Sequence, residues 1–366
     1  IMSSDWSSDV CSSDLALVSY GSQAQEFEAA FKYAIMGSVS SMLILVGIGV
    51  TYSATSTLTL ANIAQVLPEQ PSQLILWLAV FFLAGFGLKA AMVPFHAWLP
   101  DAHSSAPAPI SSMLSGVLIK VLGIYVMIRL FFNVFNAPPV LLTILTVIGI
   151  ISIIAAGLVS ILQWDLKRLL AYSSISQIGY ILLGLGMGTP LAILGAVFHL
   201  FNHAVFKSLL FYNAGSIELS MGTRNLKSMG RLTERLPVTS GTSMIASLAI
   251  SGIPPFNGFF SKLIIIMAAV AAGKFWLSAL AIIGSVLTLA AVLKFQQYSR
   301  RRSVEVESTG ETTGFAMNVA MLALALICII GGCLLFPGMK EITLEPVVNV
   351  ISGKLQYIQL VLGRSL

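Results

Sequence analysis

Charged residues are scarce in this sequence. Asp, Glu, Lys and Arg together make up 10% of the 366 residues, whereas they make up about 25% of an average soluble domain. Hydrophobic residues make up 57% of the chain, and no polar stretch is long enough to form a separate soluble domain. These proportions exclude a soluble globular protein and predict an integral membrane protein.

Cysteine is also rare, and the sequence lacks the motifs of redox, nucleotide and metal chemistry. The spacing of Cys11, Cys328 and Cys333 is not that of a metal site, and we interpret the last two as small residues of a helix core. No Walker loop, dinucleotide fingerprint, haem-binding pair or cysteine cluster is present. The sequence therefore predicts no cofactor in this chain, no metal site and no nucleic-acid partner.

Apolar runs recur along almost the entire chain, each about 20 residues long, which is the length of a helix that crosses a bilayer. They predict an all-α polytopic membrane protein with about nine transmembrane helices. The predicted spans are residues 30–52, 73–93, 110–132, 139–162, 169–187, 191–214, 238–266, 275–297 and 315–336. The tail at 337–366 is either an interfacial helix or a docking segment, because Lys354 argues against a further span.

Lysine and arginine are concentrated in alternate connections between the spans. The basic connections are 163–168, 215–237 and 298–314. In the intervening connections at 53–72, 188–190 and 267–274, the only basic residue is Lys274. Since basic loops stay on the cytoplasmic side, this alternation predicts the orientation and independently supports the helix count. The spacing of Leu226, Met229 and Leu232 predicts a short amphipathic helix along the surface.

The first 14 residues differ from the rest of the chain, because the triplet SSD occurs three times in them. This segment is either a polar linker or a translated sequencing adapter fused to an interrupted reading frame. We interpret residues 1–14 as non-native, residues 15–336 as the transmembrane domain and residues 337–366 as a C-terminal tail.

Several ionisable residues lie inside the predicted spans, where a charge at mid-helix costs about 2.5–3.5 kcal/mol. Lys89 lies near the end of the second span and Lys120 near the middle of the third. In the sixth span, His199, His203 and Lys207 follow one another at intervals of four, so they share one helix face over about 12 Å. Such a stripe is typical of proton carriers. The alternatives to proton carriers are lysines that snorkel to the membrane surface, a zinc site and a packed histidine pair.

The seventh span contains a predicted helix break. Pro254, Pro255 and Gly258 interrupt the apolar sequence just before Lys262, and proline removes a backbone donor. Pro94 has a similar position after the second span. Broken helices are tolerated at membrane depth where they line a cavity, so we expect water near Lys262. Together, the ionisable residues of spans two, three, six and seven predict a proton relay.

Three segments carry a resemblance to a known family: KAAMVPFHAWLPDAHSSAPAPISSMLSGVLIK, HLFNHAVFKSLLFYNAGS and SGIPPFNGFFSK. They resemble the antiporter-like membrane subunits of complex I, which are shared with membrane-bound hydrogenases and multisubunit cation/proton antiporters. The resemblance implies a fourteen-helix fold with two inverted repeats and discontinuous helices, of which this chain would hold helices six to fourteen. It also implies a proton path through Lys89, Lys120, His199, His203 and Lys262.

The chain departs from the family pattern at its start. FEAAFKYAIMGS resembles the beginning of family helix six, and LALVSYG resembles the end of helix five. The first four helices and a glutamate that would pair with Lys89 are therefore expected to be missing. Without that partner, Lys89 would lose its proton more readily. We expect the native gene product to pump protons and this chain as written to be an inactive fragment.

The resemblance implies a proton-translocating subunit without a redox centre of its own, driven by quinone reduction or hydrogen evolution in partner subunits. We expect it in the lipid bilayer of a prokaryotic inner (plasma) membrane, assembled with other membrane subunits of a complex I-like, hydrogenase or antiporter complex. One alternative is a Na+(K+)/H+ antiporter subunit, although the spans are poor in Asp and Glu. The other alternative is a scaffold subunit that does not pump.

Overall fold

The computed structural model describes residues 24–301 and 313–362. The SSD segment at 1–14 and the segment LALVSYG at 15–21 lie outside the described residues, so the predictions made for them stay predictions. Helices form all the regular structure of the described ranges, in which Asp165 and Asn225 make one isolated β-bridge.

Ten helices of the described residues make up the membrane part. They are α1 (Ala24–Thr55), α2 (Ser72–Ala90), α3 (Ala108–Val134), α4 (Pro139–Leu162), α5 (Leu166–Met187), α6 (Pro190–Met221), α7 (Pro237–Ser251), α8 (Asn257–Ala271), α9 (Phe275–Ser299) and α10 (Phe315–Leu335). Eight of them are long and apolar enough to cross a membrane singly. The other two, α7 and α8, each have 15 residues and together make one more crossing. The prediction of an all-α polytopic membrane protein is confirmed.

The predicted break lies between α7 and α8. Helix α7 ends at Ser251. The next residue, Gly252, has a φ of 80°, and Pro254 and Pro255 lie in the irregular segment that follows. Gly258 lies just past the break, in the first turn of α8, where an added Cβ would collide with the carbonyl oxygen of Ala249. Its lack of a side chain lets the two half-helices approach closely. The inverted repeats implied by the resemblance stay a prediction.

A second irregular segment joins α2 to α3. Helix α2 ends at Ala90, and Ala91 has a φ of 53°. Pro94 follows in this segment, before a short helix at Trp98–Ser105 that we call the connecting helix. Trp98 anchors it, because its indole Nε1 donates to Leu88 O at 2.9 Å.

The basic connections meet on one side of the helices, which we call side A. The N–H of Leu226 donates to Trp164 O at 2.9 Å, which joins the connections after α4 and α6. The N–H of Arg231 donates to Arg301 O at 2.8 Å, which joins the connections after α6 and α9. The structure therefore places the basic connections together, as their alternation predicts.

The C-terminal tail packs against the opposite side, side B. Its helices are Met339–Thr343, Glu345–Ser352 and Lys354–Leu362. Asn133, in the last turn of α3, donates from Nδ2 to Val350 O at 2.7 Å. The guanidinium of Arg129 lies 4.4 Å from the ring centroid of Tyr357. Of the two interpretations of the tail, these contacts favour the docking segment.

Helices α5 and α6 occupy the centre of the bundle. Helix α6 packs against α3, α5, α7, α8 and α10, while α5 also packs closely on α4. Glycines make the close contact of α4 with α5 feasible: a Cβ added to Gly179 would lie 2.6 Å from the carbonyl oxygen of Gly149. The centre of the fold therefore depends on two backbones that touch without side chains between them.

Gly179→Ala should destabilise the protein, because the added methyl overlaps the backbone of α4. We expect the free energy of unfolding to fall by about 1–3 kcal/mol, measured by thermal unfolding in detergent. Gly37→Ala is the matched control, since a Cβ there meets nothing within 4 Å; it should raise stability by up to about 1 kcal/mol through helix propensity. Equal effects of the two substitutions would contradict the described packing.

Candidate functional site

The stripe on α6 is buried in the centre of the bundle. The exposed fractions of His199, His203 and Lys207 are 0%, 1% and 0%. The ring centroids of the two histidines lie 6.3 Å apart, and their planes differ by 7°. The three side chains thus share one face of α6, as their spacing predicts, and that face points away from lipid.

Lys207 is held by the first turns of α5. Its Nζ donates to Leu170 O at 2.7 Å and to Ser173 Oγ at 2.6 Å. These neutral oxygens satisfy two of the three donors of an ammonium group. The charge of Lys207 is therefore stabilised by neutral oxygens and not by a carboxylate.

Lys120 lies in a widened part of α3. Residues Leu114–Tyr125 form a π-helix, and Lys120 Nζ donates to Ser115 O within it. The hydroxyl of Ser115 lies 3.1 Å from that of Ser174, which in turn is 3.1 Å from Leu170 O. The hydroxyls of Ser115 and Ser174 thus form a hydrogen-bonded link between the π-helix of Lys120 and Leu170 O, the carbonyl that binds Lys207.

The other end of the stripe leads to the broken helix. Nδ1 of His199 and Oγ of Ser261 share a hydrogen bond of 2.9 Å. The next residue, Lys262, donates from Nζ to Ile250 O at 2.8 Å. That carbonyl belongs to the last turn of α7, where the helix leaves carbonyls without intrahelical partners. The break therefore supplies the acceptor for the buried lysine.

Tyr180 is a site residue that the sequence did not reveal. Lys262 Nζ lies 4.6 Å from its ring centroid, and the ring of His199 lies 5.6 Å from it. The ring face of Tyr180 thus stabilises the cation. An aromatic residue in an apolar helix gives no sequence signal, because only the packing of α5 against α6 and α8 brings it here.

A cavity of about 200 Å³ reaches Lys262 at the break. Ser251, Gly252, Phe259 and Ser285 are among its lining residues. The break therefore lines a cavity, as expected, and most of the residues that line it are apolar.

Lys89 lies on the turn of α2 that packs against α3. It is half-buried in the last turn of α2. A Cβ added to Gly123 would lie 2.8 Å from the Cβ of Ala90, so the turn of α2 that carries Lys89 packs on α3 one turn beyond Lys120. The structure therefore brings the two helices together next to these lysines.

The buried groups are short of anionic partners. In the salt bridges of residues 24–301 and 313–362, no carboxylate pairs with Lys120, His199, His203, Lys207 or Lys262. In the same ranges no group of three His, Cys, Asp or Glu side chains is placed to hold a metal ion. The arrangement offers amines, imidazoles and hydroxyls, which are groups that take up and pass on protons.

The chain is similar to membrane subunits of NADH:quinone oxidoreductases and of antiporters. Residues 8–288 match the family described as NADH:quinone oxidoreductase/Mrp antiporter, TM. NADH-quinone oxidoreductase subunit N of Desulforudis audaxviator is 36% identical over 75% of this chain and 55% of its own length. A Na(+)/H(+) antiporter subunit of Alkalihalophilus pseudofirmus is 34% identical over 77% of this chain and 58% of its own length.

A solved structure has the same fold. A chain of the Mrp complex from Dietzia sp. DQ12-45-1b superposes with a TM-score of 0.86 at 25% identity, over 96% of this chain and 73% of that chain. The present chain thus spans a little over half the length of these two curated relatives, and almost all of it follows the fold of the solved chain.

Lys207→Met should leave stability unchanged or raise it, because it removes a buried cation and Leu170 O keeps the hydroxyl of Ser174 as a donor. Lys294→Met is the contrasting variant. Lys294 Nζ donates to Ile161 O and Gln163 O at 2.8 Å each, at the end of α4, so its loss should cost about 1.5–3 kcal/mol. Thermal unfolding of both variants in detergent tests this, and a greater loss from Lys207→Met would show that Lys207 has a structural role.

Proposed function

Because the chain belongs to the NADH:quinone oxidoreductase/Mrp antiporter membrane-subunit family, we propose that it is the proton-translocating membrane subunit of an energy-converting NADH:quinone oxidoreductase or hydrogenase-type complex. The observation that carries the proposal is the buried line of titratable groups across α3, α6 and α8. Lys120, Lys207, His203, His199 and Lys262 follow one another along it.

Protons would move between neighbouring groups of this line. The hydroxyls of Ser115 and Ser174 connect Lys120 to the turn of α5 that binds Lys207. Ser261 connects His199 to the helix of Lys262. Two positive charges held close in a medium of low dielectric constant repel each other strongly. The arrival of a proton at one group therefore favours its departure from the next.

The driving force would come from outside this chain. We predict no cofactor and no redox centre in the chain itself, so conformational or electrostatic coupling to partner membrane subunits would shift the protons. The chain would lie in the inner membrane of a prokaryote, with side A facing the cytoplasm because the basic connections lie there.

The chemistry of the line favours protons over sodium. A sodium ion needs several oxygen ligands, usually with carboxylates among them, whereas this line consists of amines, imidazoles and isolated hydroxyls. No observation in the described residues supports the antiporter alternative specifically. The scaffold alternative differs from the proposal in one respect, which is that the buried lysines would be dispensable.

Lys120→Gln and Lys262→Gln should allow assembly but slow proton translocation, because glutamine fills a similar space without accepting a proton. Loss of a positioned proton carrier slows a reaction by about 100-fold or more. The variants would be made in the full-length chain within its native complex, and proton uptake would be measured in inverted membrane vesicles. Lys274→Gln, which changes an exposed residue of side B, should be neutral. If this chain is only a scaffold, the complex would translocate protons at the normal rate in all three variants.

A further inference from the structure

The polar face of α6 continues beyond the stripe towards side A. Glu218 follows Lys207 by 11 residues, which is three turns plus about 20° and about 16 Å along the axis. It lies on the extension of α6 beyond the predicted span, which ended at residue 214. Between Lys207 and Glu218, this face presents Phe211 and no titratable group.

Glu218 forms an ion pair that crosses from the surface to the interior. Its Oε2 lies 2.7 Å from Lys167 Nζ, and the exposed fractions of the two side chains are 36% and 2%. Lys167 belongs to a basic connection in the sequence, but the structure buries it in the first turn of α5. Its Nζ also donates to Ala106 O at 3.1 Å. Lys167 therefore joins the accessible carboxylate to the segment just before α3.

His103, on the connecting helix, contacts the face of α6 between Lys207 and Glu218, at Phe211. Its side chain is fully buried, and its ring centroid lies 4.6 Å from that of Phe211. Neither ring nitrogen has a hydrogen-bond partner among the described residues. Burial, together with the charges of Lys207, Lys120 and Lys167, lowers the pKa of His103 to about 3. The imidazole is therefore neutral while those lysines are charged.

A charged cavity on side A leads to this cluster. Its volume is about 390 Å³, and Asp101, Ser104, Asp165 and Arg224 are among its lining residues. Arg224 Nε lies 3.6 Å from Glu218 Oε1, and its Nη1 donates to the carbonyl oxygen of Ser104, the residue after His103. The cavity thus reaches Arg224, which lies next to Glu218, and the helix that carries His103.

We propose that Glu218, Lys167 and His103 form an uptake branch through which protons from side A reach Lys207. This inference rests on the proposed function and adds the route by which the buried line is loaded. Glu218, which is partly exposed beside the cavity, takes a proton from side A, and Lys167 holds the carboxylate in place. His103 then accepts the proton at one ring nitrogen and releases the proton of the other nitrogen to the neutral amine of Lys207.

The charges around His103 control when the branch conducts. A proton on His103 is repelled while Lys207 and Lys120 are charged, because all three lie in a buried region. Uptake is therefore favourable only after these lysines have passed their protons on towards Lys262. The branch would load the line from side A and hinder return of a proton by the same route.

Substitution of His103 tests the branch in inverted vesicles that hold the complete complex. His103→Gln should reduce the initial rate of proton uptake by about 100-fold without loss of assembly. His96→Gln is the matched control, because His96 is only half-buried on the same connection, against Tyr172. Glu218→Gln should also slow uptake, whereas Glu234→Gln, at an exposed ion pair with Arg231, should not.

Chemical rescue separates proton transfer from a structural role. In His103→Ala, imidazole added to the medium should restore a measurable part of the uptake rate, whereas pyrrole, a ring of similar size without a basic nitrogen, should not. Restoration by both rings, or by neither, would overturn the branch.

Lys262→Gln in the same vesicles distinguishes failure of the branch from failure of the proposed function. If Lys262→Gln abolishes proton uptake and His103→Gln keeps the normal rate, the branch is wrong and the proposed function stands. If both variants keep the normal rate, the proposed function falls as well.

Discussion

The cost of placing a positive charge inside a membrane is the constraint on which the structure depends. Three buried lysines are stabilised by backbone carbonyls, and each carbonyl comes from a turn near a helix end or an irregularity. Lys120 binds Ser115 O inside a π-helix, Lys207 binds Leu170 O early in α5, and Lys262 binds Ile250 O at the break. A neutral carbonyl stabilises the charged form of a lysine less than a carboxylate would, so the lysine can still release its proton. Helix ends and irregularities therefore supply the acceptors that the buried lysines need.

Much of the fold and the centre of the candidate site could be predicted from the sequence. Hydropathy places the helices because every backbone group in a bilayer must be satisfied within a helix, and the interval of four places His199, His203 and Lys207 on one face. The paired prolines locate the break. These signals are local, so they need no knowledge of how the helices pack.

The remaining features depend on packing between distant segments. The sequence places Lys167 in a connection between two spans. In the structure its side chain is buried, and its Nζ bonds to Glu218 and to Ala106 O. His103 comes from a connection that folds back against α6. The amphipathic surface helix predicted around Leu226 is instead divided into a 3-10 turn at Leu226–Ser228 and a short helix at Leu232–Arg235, and its apolar residues are buried because the side A connections pack on one another. Glu218 was within reach of prediction, since it repeats the face of Lys207 after 11 residues.

The most direct test of the account is the number of protons translocated per electron pair by the intact complex with Lys207→Met in this chain. The side chain of Lys207 lies in the middle of the buried line. Its loss should therefore remove the protons that this subunit contributes, so that the ratio falls whether or not electron transfer also slows. A complex that assembles with Lys207→Met and keeps the normal ratio would contradict proton movement along the line.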